Sequence, residues 1–187
     1  MKILIITVSF LFLSLSSGCA MVHHYDAYYG KVIDTETKEP LEGAAVLAVY
    51  YTQQLSPGGD VTYYADAQET LTDKSGEFKI SSNIVTTFRP LQYFDKYPQF
   101  TIFKPGYGCY PEHKYAVPHF DYDSLPENQY VTIELPKLRT REEQLDMPSL
   151  NFDIPYEKQK KLVELINEEM ESLGATGKYT KESFGRR

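Results

Sequence analysis

Between residues 28 and 135 the chain is written in short runs rich in Val, Ile, Tyr and Phe, each cut off by turn-forming residues. This rhythm constrains the fold more than any other feature. Branched and aromatic side chains fill a pleated, half-buried surface, and the short intervals leave no room for crossover helices. Residues 29–34 form an apolar run that ends in a polar loop over residues 35–39. Residues 44–51 are a continuous small and apolar run, the pattern of a buried strand. Residues 56–60 are a loop by composition, while residues 61–65 and 69–72 read as exposed or edge strands. Asp73-Lys74-Ser75-Gly76 predicts a tight turn closing a hairpin, because Gly tolerates positive φ. Residues 77–80 then alternate polar and apolar, and residues 100–103 and 130–135 add further strands. Strands and helices do not alternate, so a parallel sheet is not expected; the pattern predicts a mainly β, antiparallel sandwich.

Composition narrows the function classes. With 187 residues the chain suffices for one domain and some additions. A formal charge of −7 provides no basic field to neutralise phosphate, so nucleic acid is excluded as an expected partner. Tyr contributes sixteen residues and Trp none, a bias suited to half-exposed sheet faces.

Several short elements carry a family resemblance. Gly30-Lys31-Val32-Ile33-Asp34, followed by Lys38-Glu39-Pro40-Leu41-Glu42-Gly43-Ala44-Ala45-Val46, resembles the opening of the carboxypeptidase regulatory-like domain. Thr72-Asp73-Lys74-Ser75-Gly76-Glu77-Phe78 is similar to that family's turn before its central strand. Phe103-Lys104-Pro105-Gly106-Tyr107 resembles its Gly-Tyr element, and Val131-Thr132-Ile133-Glu134-Leu135 its closing strand. The resemblance covers about residues 28–138 and implies a seven-stranded, transthyretin-like sandwich of Ig-like appearance. It marks Gly30, Asp34, Pro40, Gly43, Asp73, Gly76, Phe78, Gly106 and Tyr107 as structural positions. Pro40 forbids ladder bonding at its own site, and Phe78 is placed to drop its ring between the sheets. In that family the peptidase zinc belongs to a different domain. The resemblance therefore implies a folding, binding or spacer module without peptidase activity.

The first segment is an address. Lys2, an apolar run over residues 3–15 and Ser16-Ser17-Gly18-Cys19 form the three parts of a secretory signal over residues 1–18. A Cys directly after small residues resembles the lipobox of bacterial lipoproteins, although Ser16 stands where that family usually has Leu. The resemblance implies acylation of Cys19, and Ala20 resembles the sorting pattern for the outer membrane of Gram-negative cells. Residues 19–27 would then serve as a tether. With Cys19 acylated, Cys109 is left as a buried small hydrophobe.

The C-terminal part changes character. Residues 139–155 read as a linker, residues 156–173 as one amphipathic helix and residues 174–187 as a flexible tail. Asp153 and Glu157 stand near the helix start, where the dipole favours anions, and Gly174 is placed to stop it. Leu162, Leu165, Ile166 and Leu173 share one face, which needs a surface to cover it: its own sandwich or a partner.

Two segments are candidates for binding. Eleven of the 35 residues from 88 to 122 are Phe or Tyr, forming either a secondary core or a contact surface. The absence of Trp leaves a carbohydrate platform without support. His113, His119, Asp121 and Asp123 lie within eleven residues and could form a metal site from loop ligands, but Leu125 and Pro126 break a calcium-loop pattern; the pair His23-His24 lacks the Cys or carboxylate spacing of a site. No catalytic motif and no cofactor motif is present. The expected function is a non-enzymatic lipoprotein of the cell envelope, anchored through Cys19, presenting its sandwich to another envelope protein. The alternative is a lipoprotein binding a small ligand or metal around residues 113–123.

Overall fold

Residues that alternate along β-rich runs form nine strands in the computed structural model, which describes residues 21–89, 92–120, 124–145 and 147–184. The expected signal segment, Cys19, Asp121 and Asp123 lie outside these described residues. The strands are β1 (Met21–Tyr25), β2 (Tyr28–Asp34), β3 (Ala45–Gln54), β4 (Val61–Leu71), β5 (Glu77–Ile80), β6 (Asn83–Thr87), β7 (Gln92–Phe94), β8 (Gln99–Phe103) and β9 (Tyr130–Leu135). They are followed by a short helix α1 (Arg141–Gln144) and a longer one, α2 (Lys160–Ser172). The protein is mainly β, in agreement with the sequence pattern.

One sheet has the order β5-β2-β9. A second has β4 on one edge of β3, while β7 and β8 lie end to end along the other. A two-stranded ribbon, β1-β6, completes the set. The larger sheets share one core, in which Val32, Phe78, Val131 and Ile133 of the first meet Val46, Tyr50, Phe100 and Ile102 of the second.

The strand β3 explains its own sequence. Val46, Ala48 and Tyr50, with Ala44 just before the strand, face the other sheet, whereas Ala45, Leu47 and Val49 face α2. Burial on both faces removes the polar half of the usual alternation, and this produces the unbroken run of small and apolar residues.

Four expectations are corrected. The sandwich is not wholly antiparallel: β2 pairs β9 in parallel, from Tyr29↔Tyr130 to Asp34↔Leu135. Hydrophobic periodicity carries no information on strand direction, and these two partners are about a hundred residues apart in sequence. The turn at Asp73-Gly76 closes no hairpin, because β4 and β5 belong to different sheets. The chain crosses between layers there, and Val32 donates its N–H to Gly76 O. The expected tether contains strand β1 over Met21–Tyr25, and Tyr25 is fully buried against Tyr50. The expected single helix over residues 156–173 is a 3-10 turn, Tyr156–Lys158, followed by α2, and α1 lies within the expected linker.

The tail expected to be flexible also packs. Asn167 and Tyr179 exchange two hydrogen bonds of 2.8 Å, and Phe184 is buried against Phe152 and Tyr156.

Candidate interaction site

The positions singled out by the family resemblance gather around the Asp34 turn and the layer crossing. Asp34 is buried and accepts N–H bonds from Glu36 and Thr37 through Oδ1 at 2.7 and 3.0 Å. Burial alone would raise its carboxyl, but those N–H donors and the Tyr107 hydroxyl hold it below the usual range. Pro40 bridges to Ile33 across this turn. Asp73 Oδ1 accepts from Ser75 and Glu77, shaping the turn in which Gly76 takes φ +74°. A Cβ at Gly76 would lie 2.5 Å from Val32 O, so both the dihedral angle and the close approach require glycine. At Gly30 a Cβ would stand 2.2 Å from Val131 O, where β2 meets β9. Gly43 and Gly106 sit at φ +75° and +80° in their turns, and Phe78 is buried in the shared core. These residues shape the turns and the close strand contacts of the scaffold.

The helix face is occupied by the chain itself. Leu162 and Ile166 pack on Leu47, Val49, Ala67 and Phe103, with Leu165 half-buried beside them and Leu173 half-buried near the helix end. The face read as a candidate partner surface is thus covered by the outer side of β3 and β4. No acidic residue lies in the first turn of α2; Glu157 pairs with Lys181 instead. The anion at the helix start comes from β4, where Glu69 accepts the N–H groups of Lys161 and Leu162 at 2.9 and 2.6 Å. Burial pushes the Glu69 carboxyl up despite these bonds. Two further carboxylates hold the same layer. Asp66 pairs with Lys158 at 2.7 Å, and buried Glu169 accepts from the backbone of Gly106 at 3.1 Å. The other Glu169 oxygen, Oε1, has no hydrogen-bond partner, and burial raises this carboxyl as well.

The aromatic-rich segment divides its rings. Phe100, Phe103 and Tyr110 are buried and Phe94, Tyr107 and Phe120 pack on the core, whereas Phe88, Tyr93 and Tyr115 remain exposed. Tyr97 stands between two clefts. One, about 340 Å³, is lined by Gln53, Asp95, Lys96, Tyr97 and Gln99. The other, about 390 Å³, is lined by Tyr97, Phe120, Leu125, Pro126 and Glu127 among others. Their frame is held from below: Tyr25 donates its hydroxyl to Asp95 O at 2.7 Å, and Tyr28 donates to Glu127 at 3.2 Å. Burial lifts the Asp95 carboxyl above its usual range. Asp95 and Tyr97 carry no sequence motif; their only signal is membership of the aromatic-rich stretch.

Of the four metal candidates, His113 and His119 are among the described residues. His113 Nδ1 accepts from the Tyr115 N–H at 3.3 Å, and the ring packs against Gly108. His119 is exposed. Among the described residues no three His, Cys, Asp or Glu side chains are grouped to hold a metal ion. No described helix is long and apolar enough to cross a membrane. Comparison with family models, curated proteins and solved structures finds no match for this chain.

Proposed function

We propose that this chain is a non-enzymatic lipoprotein of the cell envelope, anchored by an acylated Cys19 in the outer membrane of a Gram-negative bacterium. Its body is a carboxypeptidase regulatory-like module of transthyretin-like type, serving as a contact surface for another envelope protein. The fold reading is supported by the strand count: the two larger sheets together hold β2, β3, β4, β5, β7, β8 and β9, with the β1-β6 ribbon as an addition. The observation that carries the functional reading is the wall of the paired clefts. Gln53, Gln99 and Gln129 amides, the Tyr97 and Phe120 rings, and the separate charges of Asp95, Lys96 and Glu127 are groups that hold a partner by hydrogen bonds and contact. A small ligand is the second reading, favoured by the position of Phe120 in a cleft wall at the edge of the His113–Asp123 loop.

The test is a photo-crosslinking amino acid placed at Tyr97 in intact cells. A discrete envelope protein is captured there and not from Thr37, an exposed position in the Asp34 turn. Identical capture patterns from both positions would remove the reading. The anchor is read separately: a fatty-acid analogue labels the wild-type chain, and Cys19→Ser abolishes the label.

A further inference from the structure

The ribbon β1-β6 has one face in the core and one face outside it. On the inner side Tyr25 and Val85 are buried, and the His23 ring stacks on Phe94. Alternation sends Val22, His24, Ile84 and Thr86 to the other side. The register pairs Val22 with Thr86 and His24 with Ile84, so Val22 and Ile84 are diagonal neighbours about 7–8 Å apart. Both are well exposed, at 62% and 66%, and Phe88, just past the end of β6, is exposed at 77%. Within the two strands the outward positions carry no carboxylate; the nearest is Asp26, just past the end of β1, 3.7 Å from His24 at the end of the ribbon away from Cys19.

Its place in the chain gives the face its occupant. β1 begins at Met21, only two residues after Cys19. Two residues of extended chain reach at most about 7 Å. A lipid on Cys19 therefore leaves no slack, and the ribbon is the first folded element at the bilayer surface. We propose that the outward face of the β1-β6 ribbon, through Val22, Ile84 and Phe88, docks on the membrane that holds the acyl chains, fixing the orientation of the body. This rests on the anchoring reading above. The acyl chains supply the affinity, at roughly 0.8 kcal/mol per buried methylene, and the ribbon supplies the orientation. An acidic body is repelled by an anionic lipid surface, and the side that tolerates the approach is the one where Val22 and Ile84 are exposed and the nearest carboxylate, Asp26, stands at the far end.

The experiment uses the full-length acylated protein in phosphatidylethanolamine–phosphatidylglycerol vesicles with brominated acyl chains. A polarity-sensitive fluorophore is attached at Ile84→Cys, at Phe88→Cys, or at Thr37→Cys as control. The control lies beyond the far end of the seven-residue strand β2, about 20 Å along its axis. For a face seated at the headgroup boundary, the first two probes are quenched about twofold or more relative to unbrominated vesicles, and the control is not. Adding Ile84→Asp to the Phe88→Cys protein weakens quenching at position 88. An acylated protein whose probes at 84 and 88 escape lipid quenching overturns the docking. Probes shielded from aqueous iodide without lipid quenching overturn it too, because another protein or a second copy then covers the face. Failure of fatty-acid labelling at Cys19 overturns the anchoring reading, and the docking with it; labelling with unquenched probes overturns the docking alone.

Discussion

On one face of β3, Val46, Ala48 and Tyr50 meet side chains delivered by a second sheet; on the other, Ala45, Leu47 and Val49 meet a helix delivered by the last third of the chain. The inner layer is closed by ladder pairing, glycine turns and rings such as Phe78 and Phe100. The outer layer is closed by a second hydrophobic cluster, including Phe103, Ile154, Leu162 and Ile166, and by three carboxylates, Asp66, Glu69 and Glu169, each reaching a lysine or a backbone N–H of a distant segment. The difference teaches where cooperativity resides. Losing the inner layer exposes both sheets, while losing the outer layer releases a strap and leaves the sheets paired.

The comparison can be broken at several points. Phe78→Ala deletes a buried ring between the sheets and lowers stability by about 3–5 kcal/mol in a denaturant titration. A loss below about 1 kcal/mol would place Phe78 outside the core. Leu162→Ala removes an aliphatic anchor of α2 and costs about 2–3 kcal/mol, with the amides of β2 and β9 keeping their hydrogen-exchange protection. Equal deprotection of those strands would show that the two layers unfold as one. Glu69→Gln leaves one acceptor where two helix N–H groups need partners, a cost of about 1–2 kcal/mol, and amides in the first turn of α2 exchange faster.

The smallest effect is in the pH dependence, where Asp34 and Asp66 act with one sign and Glu69 and Glu169 with the other. Asp34 is held below its ordinary value of 3.8, so the unfolded chain binds that proton more readily. Its stabilisation is present above that value and fades as pH falls through the lower folded one. Glu69 and Glu169 are raised above 4.5, so the folded chain binds their protons more readily, and acidification toward 4.5 favours the folded state. Titrated stability should therefore rise slightly on mild acidification and fall on strong acidification. Asp34→Asn blunts the fall; Glu69→Gln with Glu169→Gln reduces the rise, leaving the part that the raised Asp95 carboxyl contributes.

The legible parts of the fold are those whose own periodicity records burial. β2, β3, β5, β8 and β9 announce themselves because each packs at least one regular face into a core. β1, β6 and β7 are short, and β1 and β6 gain their strand character from each other across about sixty residues, which no local window sees. The parallel partnership of β2 and β9 is hidden for the same reason. Of the candidate site, the aromatic stretch around Tyr97 is marked by composition, but nothing in it foretells how its rings are shared between core and cleft. Glu69 and Glu169 look like ordinary solvated charges because their partners, Leu162 and Gly106, are 93 and 63 residues away.

Cys109 lies within the outer layer, buried among the side chains that α2 covers. A thiol in that position is a natural timer. Its rate of alkylation in the intact chain measures how often the helical cover lifts, without reporting on the sheets beneath. A partner that grips the C-terminal third would slow that clock, and one that peels it away would start it running.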